Sequence, residues 1–175
     1  MAVMLRRLTE PDAAAFRVLR LRALQESPAA FGSSYEETKH QPEGFFAQLL
    51  RFKPEAPHDF FLGAFDPALI GMVGFRRETR MKTRHKGVII SMYIAPEARG
   101  HGTGRTLLEE AIAEARAQPG LEQIGLMVVA TNVAAKRLYK GCGFETYGVE
   151  PRALKLGDNY YDEELMVLSL ERGGR

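Results

Sequence analysis

The sequence predicts an α+β fold, a sheet with helices that includes one strand–helix–strand unit. Three observations carry this. Helical apolar spacing dominates the first third of the chain, whereas alternating and β-branched runs fill most of the rest. In the middle, "VIISMYIAP" passes through a glycine-rich loop into an amphipathic helix and on to "IGLMVVAT". Near the end, two strand-like segments flank a "GDN" turn.

Element by element, the first helix starts at "TEPDAAAFRVLRLRALQESP". Thr9 can cap it, Pro11 sits where a missing N–H costs nothing, and Asp12 stands three residues after Thr9, as in a capping box. Phe16, Leu19, Leu21 and Leu24 give the helical spacing, and Pro28 ends it. A second helix is expected in "PEGFFAQLLRFK", closed by Pro54. "DFFLGAFDPALIGMVGFRRE" reads as two strands joined by an Asp-Pro turn, and "HKGVIISMYIAP" as a third strand stopped by Pro96. The next helix places Leu107, Leu108, Ala111, Ile112 and Ala115 on one stripe. "EQIGLMVVATN" resembles a strand buried on both faces. "NVAAKRLYKGCG" follows as a short helix with Asn132 at its N-cap, and "FETYGVEPRALKL" and "YYDEELMVLSL" close the chain.

Composition narrows the function. The chain has 175 residues, 45% apolar and 26% charged, enough for one core, and a single domain is expected over 1–175. With one cysteine there is no internal disulfide, so a reducing compartment, the cytoplasm, is expected. The start, "MAVMLRRLTEPDAAAF", lacks a long apolar stretch and no window approaches 18 apolar residues, so neither secretion nor a membrane span is expected. The net charge of +2 is too small to imply a nucleic-acid partner. No metal is expected.

The sharpest local signal is "RGHGTGR", Arg99 to Arg105. A dinucleotide fingerprint needs G-x-G-x-x-G, but Arg105 occupies the third glycine position; a Walker loop needs G-K-[ST]. Neither fits. A plain surface turn remains open on the residues alone. The context favours an anion site: the loop follows a strand and opens directly into a helix, so unpaired N–H groups and the helix dipole point at one place. Arg99 and Arg105 add positive charge.

Arg99-x-x-Gly102-x-Gly104, after a strand ending in Pro96, resembles motif A of the GNAT superfamily of N-acetyltransferases. Asn132, Ala135, Leu138, Tyr139, Gly143 and Phe144 match that family's motif B. The resemblance implies a central mixed, mostly antiparallel sheet flanked by helices, with a splayed strand pair binding coenzyme A. It implies an acetyl-CoA-dependent N-acetyltransferase acting on a primary amine of a small molecule or peptide. Arg99, Gly100, His101, Gly102, Thr103, Gly104 and Arg105 would wrap the pyrophosphate. A bulge would leave backbone groups of Met92, Tyr93 and Ile94 for the thioester and pantetheine arm. The Met92 N–H would polarise the carbonyl, Asn132 would contact the cofactor, and Tyr139 would protonate or hydrogen-bond the departing thiolate. A non-catalytic acyl-CoA-binding regulatory module is the alternative.

Both central strands lack the carboxylate general base that some members of that family carry there, so a water chain, or a residue from another element such as Glu78, His85 or Asp162, would take the proton. Asp162 or Glu163, in "GDNYYDEE", would suit a cationic amine if it faced the cleft. Phe31, Tyr35 and Glu36 are candidates for the acceptor pocket, as the resemblance extends to "ESPAAFGSSYEE". "RRETRMKTRHK" (76–86) reads first as a solvated basic loop; RNA binding, or a contact with the 3′-phosphate of coenzyme A, are its other readings. Cys142 has no expected covalent role, and exposed strands would permit a homodimer.

Overall fold

The computed structural model describes residues 3–170. Strand β1 (Met4–Arg7) leads into α1 (Ala13–Glu26) through a 3-10 turn at Glu10–Asp12. The Asp12 carboxylate accepts the Thr9 N–H at 2.9 Å, and Asp12 N–H closes the turn on Thr9 O at 2.8 Å. The expected helix start is therefore real but tighter, because the cap is an i→i+3 bond.

A short helix, α2 (Tyr35–Lys39), precedes α3 (Glu43–Leu50). Ser34 and Glu37 cap α2 reciprocally, the Glu37 N–H donating to Ser34 Oγ at 3.1 Å. Five residues are too few for a periodic signal, so sequence analysis missed this helix. α3 stops at Leu50, with Arg51 already extended, short of the expected end at Pro54.

Next come β2 (Phe60–Asp66) and β3 (Ala68–Arg77), which form the hairpin expected around Pro67, then β4 (Lys86–Ile94) and α4 (Thr103–Arg116). The chain continues through β5 (Gln123–Val129), α5 (Val133–Gly141), β6 (Glu145–Leu156) and β7 (Asn159–Ser169). The seven strands make one sheet in the order β1-β2-β3-β4-β5-β7-β6. Every neighbouring pair is antiparallel except β4 with β5.

Each face of the sheet has its own core. On one, Leu107, Leu108 and Ala111 of α4 pack with Val73, Phe75 and Ile124. On the other, Phe16 and Leu19 of α1 and Phe46 of α3 pack with Phe61, Met72 and Tyr93. β5 is less enclosed than its apolar sequence suggests: Ile124, Leu126 and Val128 are buried, but Met127 is 56% exposed. The reason is that α1 packs over β3, and on that face the short turn at Pro28–Ala30 is what reaches β5.

Two irregularities in the centre of the sheet shape everything nearby. β4 and β5 pair only at Lys86–Gln123, Gly87–Ile124 and Val88–Gly125. Further along β4, Gly74 faces Ile90 while Met72 faces Tyr93, so Val73 stands against two residues, Ser91 and Met92. This is a β-bulge, and Ser91 adopts φ +56° to make it. Parity flips across it: Ile89 packs on the α4 side before the bulge, Met92 and Ile94 after it.

Ser91→Val and Ser91→Gly both delete the hydroxyl, but only valine places a β-branched side chain in the left-handed region. Valine is expected to be less stable than glycine there by about 1–2 kcal/mol. Urea denaturation measures the difference; equal midpoints would contradict the bulge geometry.

Candidate functional site

Where β4 and β5 part, a cleft of about 470 Å³ opens. Met92, Tyr93 and Ile94 of β4 form one wall, and Met127, Val128 and Val129 of β5 the other. The loop from Arg99 to Arg105 closes one end, α5 contributes Ala135, Leu138 and Tyr139, and Phe31 covers the rim. The cleft exists because neither strand edge has a ladder partner beyond Val88 and Gly125, while the two cores hold both strands in place.

The loop is built for close approach to a negative group. Gly100 and Gly102 have φ of +81° and +83°, a conformation that L side chains rarely adopt. Gly102 is the N-cap of α4 and supplies no capping side chain, and the first turn of α4 has no acidic residue. The N–H groups of that first turn therefore keep their positive end free for an anion. Gly104 stands against the cleft wall: a Cβ there would be in ordinary contact with Ile94 Cγ1 at 3.4 Å and Met92 Cε at 3.7 Å. Arg99 donates from Nε to Ile94 O at 2.8 Å and stacks over the Tyr93 ring at 5.6 Å. Arg105 pairs with Glu109 at 3.2 Å.

Most of the expected binding residues meet here. Met92, Tyr93, Ile94, Arg99, Gly100, Gly102, Gly104, Arg105 and Asn132 all line the cleft, with Tyr139. His101 and Thr103 do not: they line a separate groove shared with Val3, Leu5 and Asp66. Left-handed glycines flank His101 on both sides. Asn132 caps α5, its Oδ1 accepting the Ala135 N–H at 3.2 Å. Tyr139 is 7% exposed and packs edge-on against Phe144 at 6.0 Å; burial pushes its phenol up to about 12.

The carboxylate candidates separate cleanly. Glu78 and His85 lie at the opening of β4, where Glu78 N–H bonds Lys86 O and His85 O accepts the Glu122 N–H. Eight residues of strand, about 26 Å, separate that end from Ile94. The basic loop 76–86 lies at the same far end, where Arg77 bonds Arg84 O and Pro119 O at 2.8 Å. It is too distant to share a ligand held by Gly100–Arg105.

Asp162 is committed elsewhere: its Oδ1 accepts the Arg152 N–H at 2.7 Å and braces a bulge in β6 where Arg152 has φ +54°. Glu164, on the α5 side, pairs with Lys136 at 2.7 Å. Glu163 is different. It stands beside Val129 in the β5–β7 register and opposite Glu150 on β6. Partial burial, then the Glu150 charge, raise its carboxyl above the usual 4.5.

Of the expected pocket residues, Phe31 lines the cleft, while Glu36 pairs with Lys39, whose ammonium stands over Tyr35. The structure adds Met127 and Ala134 to the lining, and it places Arg20 behind Phe31, with its guanidinium over that ring. Nothing in the sequence marked Arg20, which reads as one of several arginines on an amphipathic helix. Burial pushes the Cys142 thiol up, consistent with an inert thiol. Among the described residues, no group of three His, Cys, Asp or Glu could hold a metal ion, and no helix is long and apolar enough to cross a membrane.

The model of the acetyltransferase (GNAT) family matches residues 21–144. A mycothiol acetyltransferase from Thermobispora bispora is 31% identical over 146 residues, covering 79% of this chain and 45% of that protein. The chain spans less than half the length of the first curated relatives it matches. Among solved structures, an acetyltransferase of the GNAT family from Streptococcus pneumoniae superposes with a TM-score of 0.77 at 26% identity, covering 96% of this chain and 99% of that one. A phosphinothricin acetyltransferase from Sinorhizobium meliloti, solved in complex with AcCoA, has the same fold, with a TM-score of 0.80 at 21% identity over 97% of this chain and 89% of that one.

Proposed function

The chain belongs to the acetyltransferase (GNAT) family, and on that premise we propose that it is an N-acetyltransferase that moves the acetyl group of acetyl-CoA onto a primary amine. The observation that carries the reading is the cleft itself: a strand pair parted beside a bulge, ending at an uncapped helix start with two left-handed glycines. The fit is chemical as well as spatial. Backbone N–H groups between Gly100 and Arg105, with the Arg99 and Arg105 guanidiniums, suit a pyrophosphate. The apolar wall of Ala134, Ala135 and Leu138 suits a pantetheine arm.

Bound there, acetyl-CoA supplies a thioester whose acyl carbon an amine can attack. The backbone of Met92 to Ile94, on the open edge of β4, is placed to bind the arm, with the Met92 N–H on the thioester carbonyl. In the exchange a C–N bond forms and the C–S bond breaks. The ammonium first gives one proton to solvent, which frees the lone pair; as nitrogen then bonds to carbon it becomes acidic again, and we assign the second proton it sheds to Glu163, directly or through a water. Tyr139 meets the sulfur on the other side. A phenol near 12 giving its proton to a thiolate whose acid titrates near 8.5 is uphill by about 3.5 units, about 5 kcal/mol. Tyr139 therefore acts as a hydrogen-bond donor to the thiolate, and solvent completes the protonation. His101 and Thr103 serve through their backbone.

We take residues 1–175 as one catalytic domain and place it in the cytoplasm, in keeping with the single Cys142. The bare edge of β6, with Tyr147 and Val149 exposed, is the face that a second copy would use.

Acetyl-CoA is expected to raise the melting temperature, and thiol release over a panel of amines to show turnover. A thermal shift without turnover would leave a binding module. Tyr139→Phe removes a hydrogen bond to a charged group, worth about 1.5–3 kcal/mol, and should lower kcat about 10- to 100-fold with acetyl-CoA affinity kept; unchanged kcat would remove Tyr139 from the chemistry.

Glu163→Gln tests the proton route through the pH profile. The carboxylate form must be present, so the wild-type rate rises as pH climbs through its elevated value. The variant should lose that limb and turn over more slowly at pH values above it, and an unaltered profile would exclude Glu163 as the base.

A further inference from the structure

Arg20 projects from α1 toward the bulge of β4. Its Nη1 donates to Ser91 Oγ at 3.2 Å and its Nη2 to Ser33 Oγ at 3.4 Å, and its guanidinium carbon stands 4.9 Å from the centre of the Phe31 ring. All three partners are neutral. Arg6, Arg7, Arg22, Arg51 and Arg105 each pair with a carboxylate, but among the described residues Arg20 has none. The one charge that bears on it is Arg76, also positive. Burial pulls the guanidinium down to about 10.

A half-buried cation without a counter-ion gives up part of its hydration with no charge to offset it, and nothing in the packing of α1 demands one. A methionine would cover Phe31 as well. Guanidinium carries five N–H donors in a planar fork, and the two serines engage two of them. The remaining donors match a carboxylate, which guanidinium binds in a two-pronged geometry. Position gives the partner. Ser91 immediately precedes Met92, and Phe31 lines the cleft, so an anion on Arg20 would sit beside the place where the amine must enter.

We propose that Arg20 binds a carboxylate of the acceptor, so that the acceptor is a zwitterionic amine of the amino-acid type. This rests on the acetyltransferase reading above and deepens it. The division of labour follows from charge: Arg20 holds the carboxylate from the α1 side, and Glu163 receives the ammonium end from the β7 side. An amine lacking the acid group would leave the guanidinium desolvated and unpaired, which is how a buried polar site rejects a near-identical substrate.

The test uses matched acceptors that differ only in the carboxylate: L-methionine against 3-(methylthio)propylamine, L-leucine against 3-methylbutylamine, and L-phenylalanine against 2-phenylethylamine. Thiol release gives kcat/KM for each with wild type, Arg20→Gln and Arg20→Lys. Wild type should favour the amino acid in at least one pair by at least about tenfold. Arg20→Gln should erase that preference through the acceptor KM, with the KM for acetyl-CoA unchanged, and Arg20→Lys should restore part of it. Melting temperature with and without acetyl-CoA shows that the variants fold and bind donor. Equal use of both members by wild type, exclusive use of the decarboxylated amines, or a preference that survives Arg20→Gln would each overturn the proposal. So would donor binding with none of the amino acids acetylated. Failure of acetyl-CoA to bind at all would instead sink the acetyltransferase reading.

Discussion

Two parallel strands that hydrogen-bond over only three residue pairs are the constraint from which the site follows. In an ordinary sheet such an opening would close, because unpaired backbone groups seek partners. Here the cores on the two faces prevent it. α4 holds Val73 and Ile124 on one side, and α1 with α3 holds Tyr93 and Met72 on the other. The bulge at Ser91 then resets which face β4 shows, so that Met92 and Ile94 join the α4 side at the cleft while Tyr93 stays anchored beneath α1. Open edge, apolar wall and anion loop are consequences of one interrupted ladder.

A chain of charges fixes the rim of that opening. Arg22 reaches both Glu26, at 2.8 Å on its own helix, and Glu97, at 2.6 Å in the turn after β4. Glu26 in turn accepts the Tyr93 hydroxyl, and Arg99 stacks on the same ring while bonding Ile94 O. Arg22 holds the Glu97 carboxyl down to about 2, so these groups are fully charged at neutral pH. Exposed pairs of this kind add little stability, because solvent screens them. Their effect is geometric: they tie the end of α1, the end of β4 and the entrance of the glycine loop into one unit.

The sequence made the element order readable because its periodicities are strong and its breakers well placed. The Asp66-Pro67 hairpin, the stripe of Leu107, Leu108 and Ala111, and the Asn132 cap all came from local chemistry that tertiary structure did not override. α2 was too short to show a period. Met127 looked buried because the sequence cannot say that α1 stops before covering β5. The choice between Asp162 and Glu163 could not be made either. Neighbours on a strand face opposite ways, and which one shares the face of Val129 depends on the register of β7 against β5. Arg20 was invisible for a related reason: its isolation is a property of what surrounds it in space, not of its helix.

If the gap between β4 and β5 holds coenzyme A, an amide-resolved NMR titration of the protein with acetyl-CoA will show saturable shifts concentrated in Met92 to Ile94, Gly100 to Arg105 and Asn132 to Tyr139, with the basic loop 76–86 unmoved. Shifts centred on that basic loop, or none that saturate in the cleft, would contradict that placement.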